Sequence, residues 1–400
     1  MTAPLARVVI VGASLAGLRT AAALRDHGFT GSLTIVGDEP HPPYDRPPLS
    51  KQVLTDETAP DPALPVPEPL GAQWKLGRSA VRLEPHERVV LLDDGTGLPY
   101  DGVVLATGSG ARGWPEPRPV QGIHTLRTRE DALRVRAELR PGRRVVVVGA
   151  GFLGGELAAA ARARSAHVTL VEASRQPLER AIGAAPGAWI AGLHRESGVD
   201  LRTATTVTAF RADGDRVRGV ALSDGTEHAA DTVLLALGGT PATGWLAGSG
   251  LDLGHGVRCD SRLRALDPAG AVVPGVVAAG DVARVPQPLA GGEAIALGHW
   301  TTATEHAITA ARTLLDPTTS APHTAVPSFW SDLHGARIRS VGLPTLADEV
   351  LVHEHDLPGR HLKVTYLRRG RLIGALTVNR TRSLTAYRRE LHAASEAFAP

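Results

Sequence analysis

Three features of the sequence predict an α/β fold with two parallel-sheet units of one design and a smaller α+β unit at the end of the chain. The stretch VVIVGASLAG at 8–17 runs from a buried strand into a glycine turn and helix-forming residues, and VVVVGAGFLGGE at 145–156 repeats that plan. Near the end, RHLKVTYLRRGRLIGALTVNR alternates apolar and polar residues on both sides of Arg-Arg-Gly, which reads as two strands about a turn.

In chain order, the first turn holds Gly12 and Gly17 at the outer positions of G-x-G-x-x-G, with Ser14 in the middle. This spacing suits a dinucleotide. The first glycine permits the tight turn, the middle position gives the pyrophosphate room, and the last lets helix and strand pack closely with the helix N-terminus facing the phosphates. Ser14 takes some of that room and offers a hydroxyl. The next strand, SLTIVGDE, delivers Asp38 and Glu39 where a carboxylate accepts hydrogen bonds from ribose hydroxyls. The proline-rich run TAPDPALPVPEPLG (58–71) is expected to be a surface loop, and YDGVVLATGSG (100–110) a strand entering a turn at Ala106, Thr107 and Gly108.

The second turn is complete, with Gly149, Gly151 and Gly154, and its following strand HVTLVE ends in Glu172, about 20 residues beyond the middle glycine. DTVLLALGGTP (231–241) is again a strand with a small-residue turn. VPGVVAAGDVA (273–283) ends at Gly280-Asp281, where Asp281 suits either the polyol chain of a flavin or an N-cap. Two turns imply two dinucleotides, most simply one held and one exchanged. The motif order places one dinucleotide-binding domain at 1–112 and 244–318, interrupted by a second at 113–243, with a third domain at 319–400. GWPEPRPVQG and DPTTSAPHTAVP mark two of the joins.

Composition excludes several function classes. With 43 basic and 41 acidic residues among 400, the chain is no dedicated nucleic-acid or membrane-surface protein. Cys259 is the single cysteine, so no internal disulfide, thiolate-rich zinc site or four-cysteine cluster is available, and no metal site is expected. Redox chemistry here needs a bound cofactor. The opening MTAPLARVVIVGAS enters a strand at once, with neither leader nor long apolar run, so a cytoplasmic location is expected.

The chain resembles the two-dinucleotide flavoprotein reductases, and most closely the NADH-dependent ferredoxin reductases of oxygenase and cytochrome P450 systems, the family of putidaredoxin reductase. The resemblance spans nearly the whole length: GDEPHPPYDRPPLSK (37–51), LATGS, HTLRTREDA (124–132), VVVVGAGFLGGELA, AAGDVA, VPSFWSDLHGARIRSVG (326–342) and VNRTR (378–382). It implies two Rossmann-like domains, for FAD and NAD, the NAD domain inserted into the FAD domain, plus a small C-terminal α+β domain. It also implies bound FAD, transient NADH, and single-electron delivery to a [2Fe-2S] ferredoxin. Ser14, and Gly298 in LGHW where relatives often carry an acid, depart from the family pattern. With no cysteine pair, electrons leave the flavin directly rather than through a disulfide.

The same resemblance assigns roles. Lys51, one of three lysines beside 40 arginines, is implied to lie by the flavin ring, where an ammonium favours the reduced form. Arg46, Ala80, Arg127 and Trp300 are implied on FAD, and Glu156 beside the nicotinamide; a first-turn glutamate favoured by the helix dipole is the plainer reading of Glu156. His299 and His306 read as structural, because hydride transfer to flavin needs no histidine base. Glu172 should repel a 2′-phosphate and favour NADH over NADPH, with Arg175 the nearest cation in sequence. From residue 321 onward 11 basic residues face seven acidic ones in a chain of net charge +2, so a cationic docking face for an acidic ferredoxin is expected there, led by Arg380 and Arg382. Three alternatives are a direct FAD/NADH oxidoreductase acting on a small molecule, a flavin monooxygenase, and a non-enzymatic flavin-binding protein.

Overall fold

The computed structural model describes residues 5–115 and 121–397. Of the two expected joins, DPTTSAPHTAVP follows the helix Trp300–Leu315 as irregular chain, whereas 116–120 of GWPEPRPVQG lie outside the described residues.

The strand Arg7–Val11 is central to a six-stranded sheet because its valines and isoleucine are buried on both faces. It pairs in parallel with Ser32–Gly37 on one side and Gly102–Leu105 on the other. Ala72–Leu76 and Val272–Ala278 extend the two flanks, also in parallel, and Arg264–Leu266 adds an antiparallel edge. Strand order reverses about Arg7–Val11, so a crevice opens at the carboxyl ends of the strands. The helices Leu15–Asp26 and Trp300–Leu315 pack side by side through small buried residues, among them Ala16 and Gly17 on one and Ala303 and Ala307 on the other.

A second sheet, all parallel, runs in the order Asp200–Arg202, His167–Val171, Arg144–Val148, Thr232–Leu235, Ile123–Thr125. Arg144–Val148 holds the position that Arg7–Val11 holds in the first. Two short strands, Ser109–Ala111 and Gly239–Pro241, pair antiparallel where the chain passes between the two sheets. That pairing ties both crossings together.

The end of the chain forms a five-stranded antiparallel sheet in the order Ser328–Leu333, Ala336–Gly342, Arg371–Val378, His361–Arg368, Glu349–Asp356. The expected hairpin about Arg369-Gly370 is its His361–Arg368/Arg371–Val378 pair. The helix Leu384–Ala397 covers one face through Leu384 and Leu391. Elsewhere the sheet shares an apolar cluster with the helix Ala184–Glu196, where Trp189, Ile190 and Leu193 join Leu362, Val364 and Tyr366. Tyr366 Oη also donates to the carbonyl of Ile182 at 2.9 Å, so the third unit is docked on the second. The 58–71 run is loop, as expected. Cys259 is 1% exposed, with burial raising its thiol pKa first, and acts as a small packed residue. Among the described residues no helix is long and apolar enough to cross a membrane.

Candidate active site

The two glycine turns are built alike. A Cβ on Gly12 would lie 2.1 Å from the Ala106 oxygen, and one on Gly149 2.5 Å from the Ala236 oxygen, so each turn is pressed against the loop after the neighbouring strand. Both glycines also have positive φ, +121° and +98°, which side-chain-bearing residues avoid. Gly17 and Gly154 are excluded from substitution by the carbonyls of Gly12 and Gly149, at 1.9 and 1.8 Å from the missing Cβ. The middle position differs: a Cβ on Gly151 meets nothing within 4 Å. Space there faces the cleft rather than protein, which explains how Ser14 fits at the matching place in the first turn. Ser14 is the N-cap of Leu15–Asp26 yet makes no side-chain cap bond.

Around the first turn lie two adjoining clefts of about 310 and 230 Å³, sharing Ser14, Tyr44, Arg46, Ala106 and Thr107 as walls. Taken together as one adjoining space, they fall in the range of about 300–1,000 Å³ typical of cofactor sites. Asp38, Glu39 and Ala80 line the smaller; Gly108, Arg127, Asp281 and Trp300 line the larger. Glu39 binds Arg46 at 2.8 Å and also accepts from Tyr44 Oη, and Arg46 donates to the Arg127 carbonyl at 2.6 Å. Burial pulls the Arg46 pKa down, but Tyr44 and Glu39 outweigh it and leave it raised. Arg127 is lowered by burial and by Arg46, its pairing with Asp281 at 3.2 Å notwithstanding. Arg127 Nε is buried without a hydrogen-bond partner among the described residues. An unmatched buried donor on the wall of a polar-and-apolar cleft fits a cofactor rich in acceptors.

Asp281 does not cap a helix. The short turn Gly280–Val282 begins after Ala279, and the Asp281 carboxylate accepts instead from Ser109 Oγ (3.0 Å) and Arg127 (3.2 Å) while facing the larger cleft. Trp300 is fixed by Nε1 donating to Asp45 at 2.7 Å and by an edge-on contact with Trp330, centroids 5.8 Å apart. His306 is buried and His299 half-buried, and burial lowers the pKa of each, which favours the neutral ring.

The second turn borders a cleft of about 440 Å³ lined by Gly149, Gly151, Glu172 and Ser174, with Trp114 and Leu237 beyond. Glu172 accepts from the backbone N–H groups of Ala150 and Ser174, each at 2.7 Å, so it props the turn as well as facing the cleft. Among the described residues, the cation that lines this cleft is Arg180, whereas Arg175, nearest in sequence, is exposed and not among its walls.

Glu156 is not a free first-turn acid, and it lines neither the first-turn clefts nor the second-turn cleft but an outer one between them. It sits past the first turn of Phe152–Ala163, 7% exposed, where the dipole argument has faded. Its Oε2 accepts from Ser50 Oγ at 2.5 Å and lies 2.7 Å from Lys51 Nζ, and its Oε1 accepts from Ser331 Oγ at 2.6 Å. Three stretches distant in sequence meet on one carboxylate. Strand alternation explains the third: Ser331 and Phe329 point to the helix Phe152–Ala163, where Phe329 packs on Phe152 (4.7 Å), while Trp330 between them turns to Trp300. Lys51 thus points to Glu156 and lines an outer cleft of about 460 Å³ with Asp332 and His334 rather than the larger cleft of the first turn, whose wall includes Ser50.

Two dinucleotide clefts flanking a third domain, with no thiol near either, define a nucleotide-dependent flavin oxidoreductase. The chain belongs to the pyridine nucleotide-disulphide oxidoreductase family, whose model matches residues 6–310, and its 328–399 match the reductase C-terminal domain. The family uses FAD and NAD(H). The p-cumate 2,3-dioxygenase system ferredoxin–NAD(+) reductase component of Pseudomonas putida is 34% identical, over 96% of this chain and 93% of that protein. Rhodocoxin reductase of Rhodococcus erythropolis is also 34% identical, over 96% and 89%. The crystal structure of the covalent putidaredoxin reductase–putidaredoxin complex aligns with TM-score 0.89 at 32% identity, covering 98% of this chain and 94% of that one.

The fold therefore gathers Gly12, Ser14, Gly17, Asp38, Glu39, Arg46, Ala80, Ala106, Thr107, Gly108, Arg127, Asp281 and Trp300 about the first-turn clefts, and Gly149, Gly151, Gly154 and Glu172 about the second-turn cleft. Lys51 and Glu156 sit between them as a pair. Sequence reading passed over Tyr44, Asp45, Ser50, Ser109 and Ser331. All five lie inside stretches that match the family, Tyr44, Asp45 and Ser50 in GDEPHPPYDRPPLSK, Ser109 in LATGS and Ser331 in VPSFWSDLHGARIRSVG, so the motifs held the signal while the partners of each side chain stayed hidden.

Proposed function

We propose that this protein takes hydride from NADH onto FAD and passes the electrons one at a time to a [2Fe-2S] ferredoxin serving an oxygenase or cytochrome P450, in the cytoplasm. The observation that carries this reading is the joining of the first-turn clefts to the C-terminal sheet through Trp300 and Trp330, in a chain without a redox cysteine pair. FAD supplies the conversion of a two-electron donor to one-electron acceptors. The protein's own groups do the rest. The first-turn backbone and Ser14 hold the pyrophosphate, Glu39 and Ala80 border the adenosine end, and Arg46, Arg127 and Asp281 fix the remainder. Gly149, Gly151 and Gly154 receive the NADH pyrophosphate and Glu172 its ribose, while Glu156 holds Lys51 behind Ser50, outside the flavin cleft.

The domain limits that suit this reading are 1–112 with 244–318 for FAD, 113–243 for NAD and 319–400 for the C-terminal unit. The strand pair Ser109–Ala111 and Gly239–Pro241, lying at two of these limits, supports them. For ferredoxin docking, Arg380 is the weaker candidate, because it is paired with Glu354 at 2.9 Å and flanked by His361. Arg382 and Arg389 are exposed, and Arg388 is only loosely placed against Glu305 at 3.8 Å. The deciding experiment is NADH-driven cytochrome c reduction with and without an acidic [2Fe-2S] ferredoxin. A rate that ignores added ferredoxin overturns the reading in favour of direct action on a small molecule.

A further inference from the structure

The overall reaction leaves a proton that has to be disposed of. Hydride brings two electrons and one proton from NADH; two ferredoxins remove one electron each and no proton, so one proton per turnover must leave the flavin cleft. We propose that it leaves through Ser50 Oγ and the Glu156 carboxylate, past Lys51 Nζ, into the outer cleft between the three units. This inference rests on the reductase reading above.

The geometry runs unbroken from one cleft to the other. Ser50, 5% exposed, is on the wall of the flavin cleft and its hydroxyl donates to Glu156 Oε2 at 2.5 Å. A hydroxyl both accepts and donates, so Ser50 can take a proton on its lone pair as it gives its own to Glu156. From Oε2 the next atom is Lys51 Nζ at 2.7 Å, and Ser50, Lys51 and Glu156 all border the outer cleft of about 460 Å³. The ammonium passes a proton to water there and takes the one on Glu156, so no charge accumulates.

The other charged groups at the path do not compete well. Asp45 and Asp281, the carboxylates lining the flavin cleft, are engaged by Trp300 and by Ser109 with Arg127. On the outer side, Arg162 is bound to the carbonyls of Ser197 and Ala166, Asp332 to Arg339, and His334 to His194. Burial lowers the His334 pKa to about 4, which leaves it a neutral wall at physiological pH.

Ser331 supplies the comparison that separates a proton path from a structural prop, because it gives Glu156 an equally short bond on the opposite oxygen, off the route. The FAD-loaded protein is reduced with one equivalent of NADH, then mixed anaerobically with ferricyanide in weak buffer containing phenol red. Bleaching by NADH reports the reductase reading by itself; the dye reports the proton. In the unaltered protein dye and flavin signals should keep pace. Ser50→Ala should slow proton appearance by at least about tenfold, a floor set below the roughly 10²–10⁴-fold that a positioned proton-transfer group contributes, and Glu156→Gln should do the same. Ser331→Ala should slow it much less. FAD affinity by fluorescence titration of the apoproteins verifies that each variant is assembled, and if Ser50→Ala loses FAD the comparison is made with Glu156→Gln. Proton release that is unaffected in the path variants, or equally slowed in Ser331→Ala, overturns the proposal.

Discussion

Removing the charge at Glu172 should erase most of the preference for NADH over NADPH. Because two backbone N–H groups hold its carboxylate, each at 2.7 Å, Glu172 cannot swing away from a 2′-phosphate entering the cleft. Two unit charges about 5 Å apart at an effective dielectric of about 20 repel by about 3 kcal/mol, which corresponds to a preference of the order of a hundredfold. Arg180 on the cleft wall offsets part of this. Glu172→Gln keeps one acceptor and drops the charge, so the ratio of kcat/KM for NADH to that for NADPH should fall by at least about tenfold. NADH binding should weaken, since a charge-assisted bond that props the turn contributes about 1.5–3 kcal/mol, whereas for NADPH the relief of repulsion offsets that loss. The assay is ferricyanide reduction, which needs no ferredoxin. Adding Arg180→Ala should restore part of the preference by withdrawing a cation from the cleft wall. A ratio unchanged in Glu172→Gln refutes the electrostatic reasoning and moves selectivity elsewhere in the cleft.

Ser14→Gly should retain FAD with affinity within about tenfold, since the hydroxyl makes no cap bond and the position faces open space; large loss by fluorescence titration shows that the hydroxyl binds the cofactor. Stability should fall as pH drops below about 6.5, the unfolded histidine value. Burial lowers His194 to about 3, and His323 and His334 to about 4, so the unfolded chain takes up protons first and stability is full only above that value. Each histidine kept neutral costs about 1.4 kcal/mol per pH unit in that window, which ends near pH 4 for His323 and His334 and near pH 3 for His194; a thermal midpoint flat between pH 7 and 5 contradicts this. Raising salt from about 0.1 to 0.5 M shortens the Debye length from about 10 to about 4 Å and should depress ferredoxin-dependent turnover far more than ferricyanide turnover. Arg382→Glu with Arg389→Glu should raise the KM for ferredoxin more than Arg380→Glu does, and equal effects argue against the exposed pair as the docking face.

The two strand–turn–helix units were legible because each is local: a β-branched run, glycines at fixed spacing and an acid about 20 residues on reflect constraints imposed by neighbours in the chain. The C-terminal hairpin was legible for the same reason, since alternation and a turn residue specify it together. Composition likewise excluded a thiol relay, as one cysteine cannot form a pair. What tertiary structure decided is which groups face one another. Glu156 looked like a first-turn acid beside a nucleotide, and only packing of three distant segments brings Ser50, Lys51 and Ser331 onto its two oxygens. Asp281 had an equally good local role as a cap, and the approach of Ser109 and Arg127 from elsewhere in the chain gave it a different one. Arg380 counted as a free positive charge until strand pairing put Glu354 beside it. Spacing along a chain encodes backbone geometry, because bonded neighbours are always present to enforce it; the partner of a charge or hydroxyl is chosen by burial and fold, and a buried polar atom takes whichever complementary atom the packing delivers.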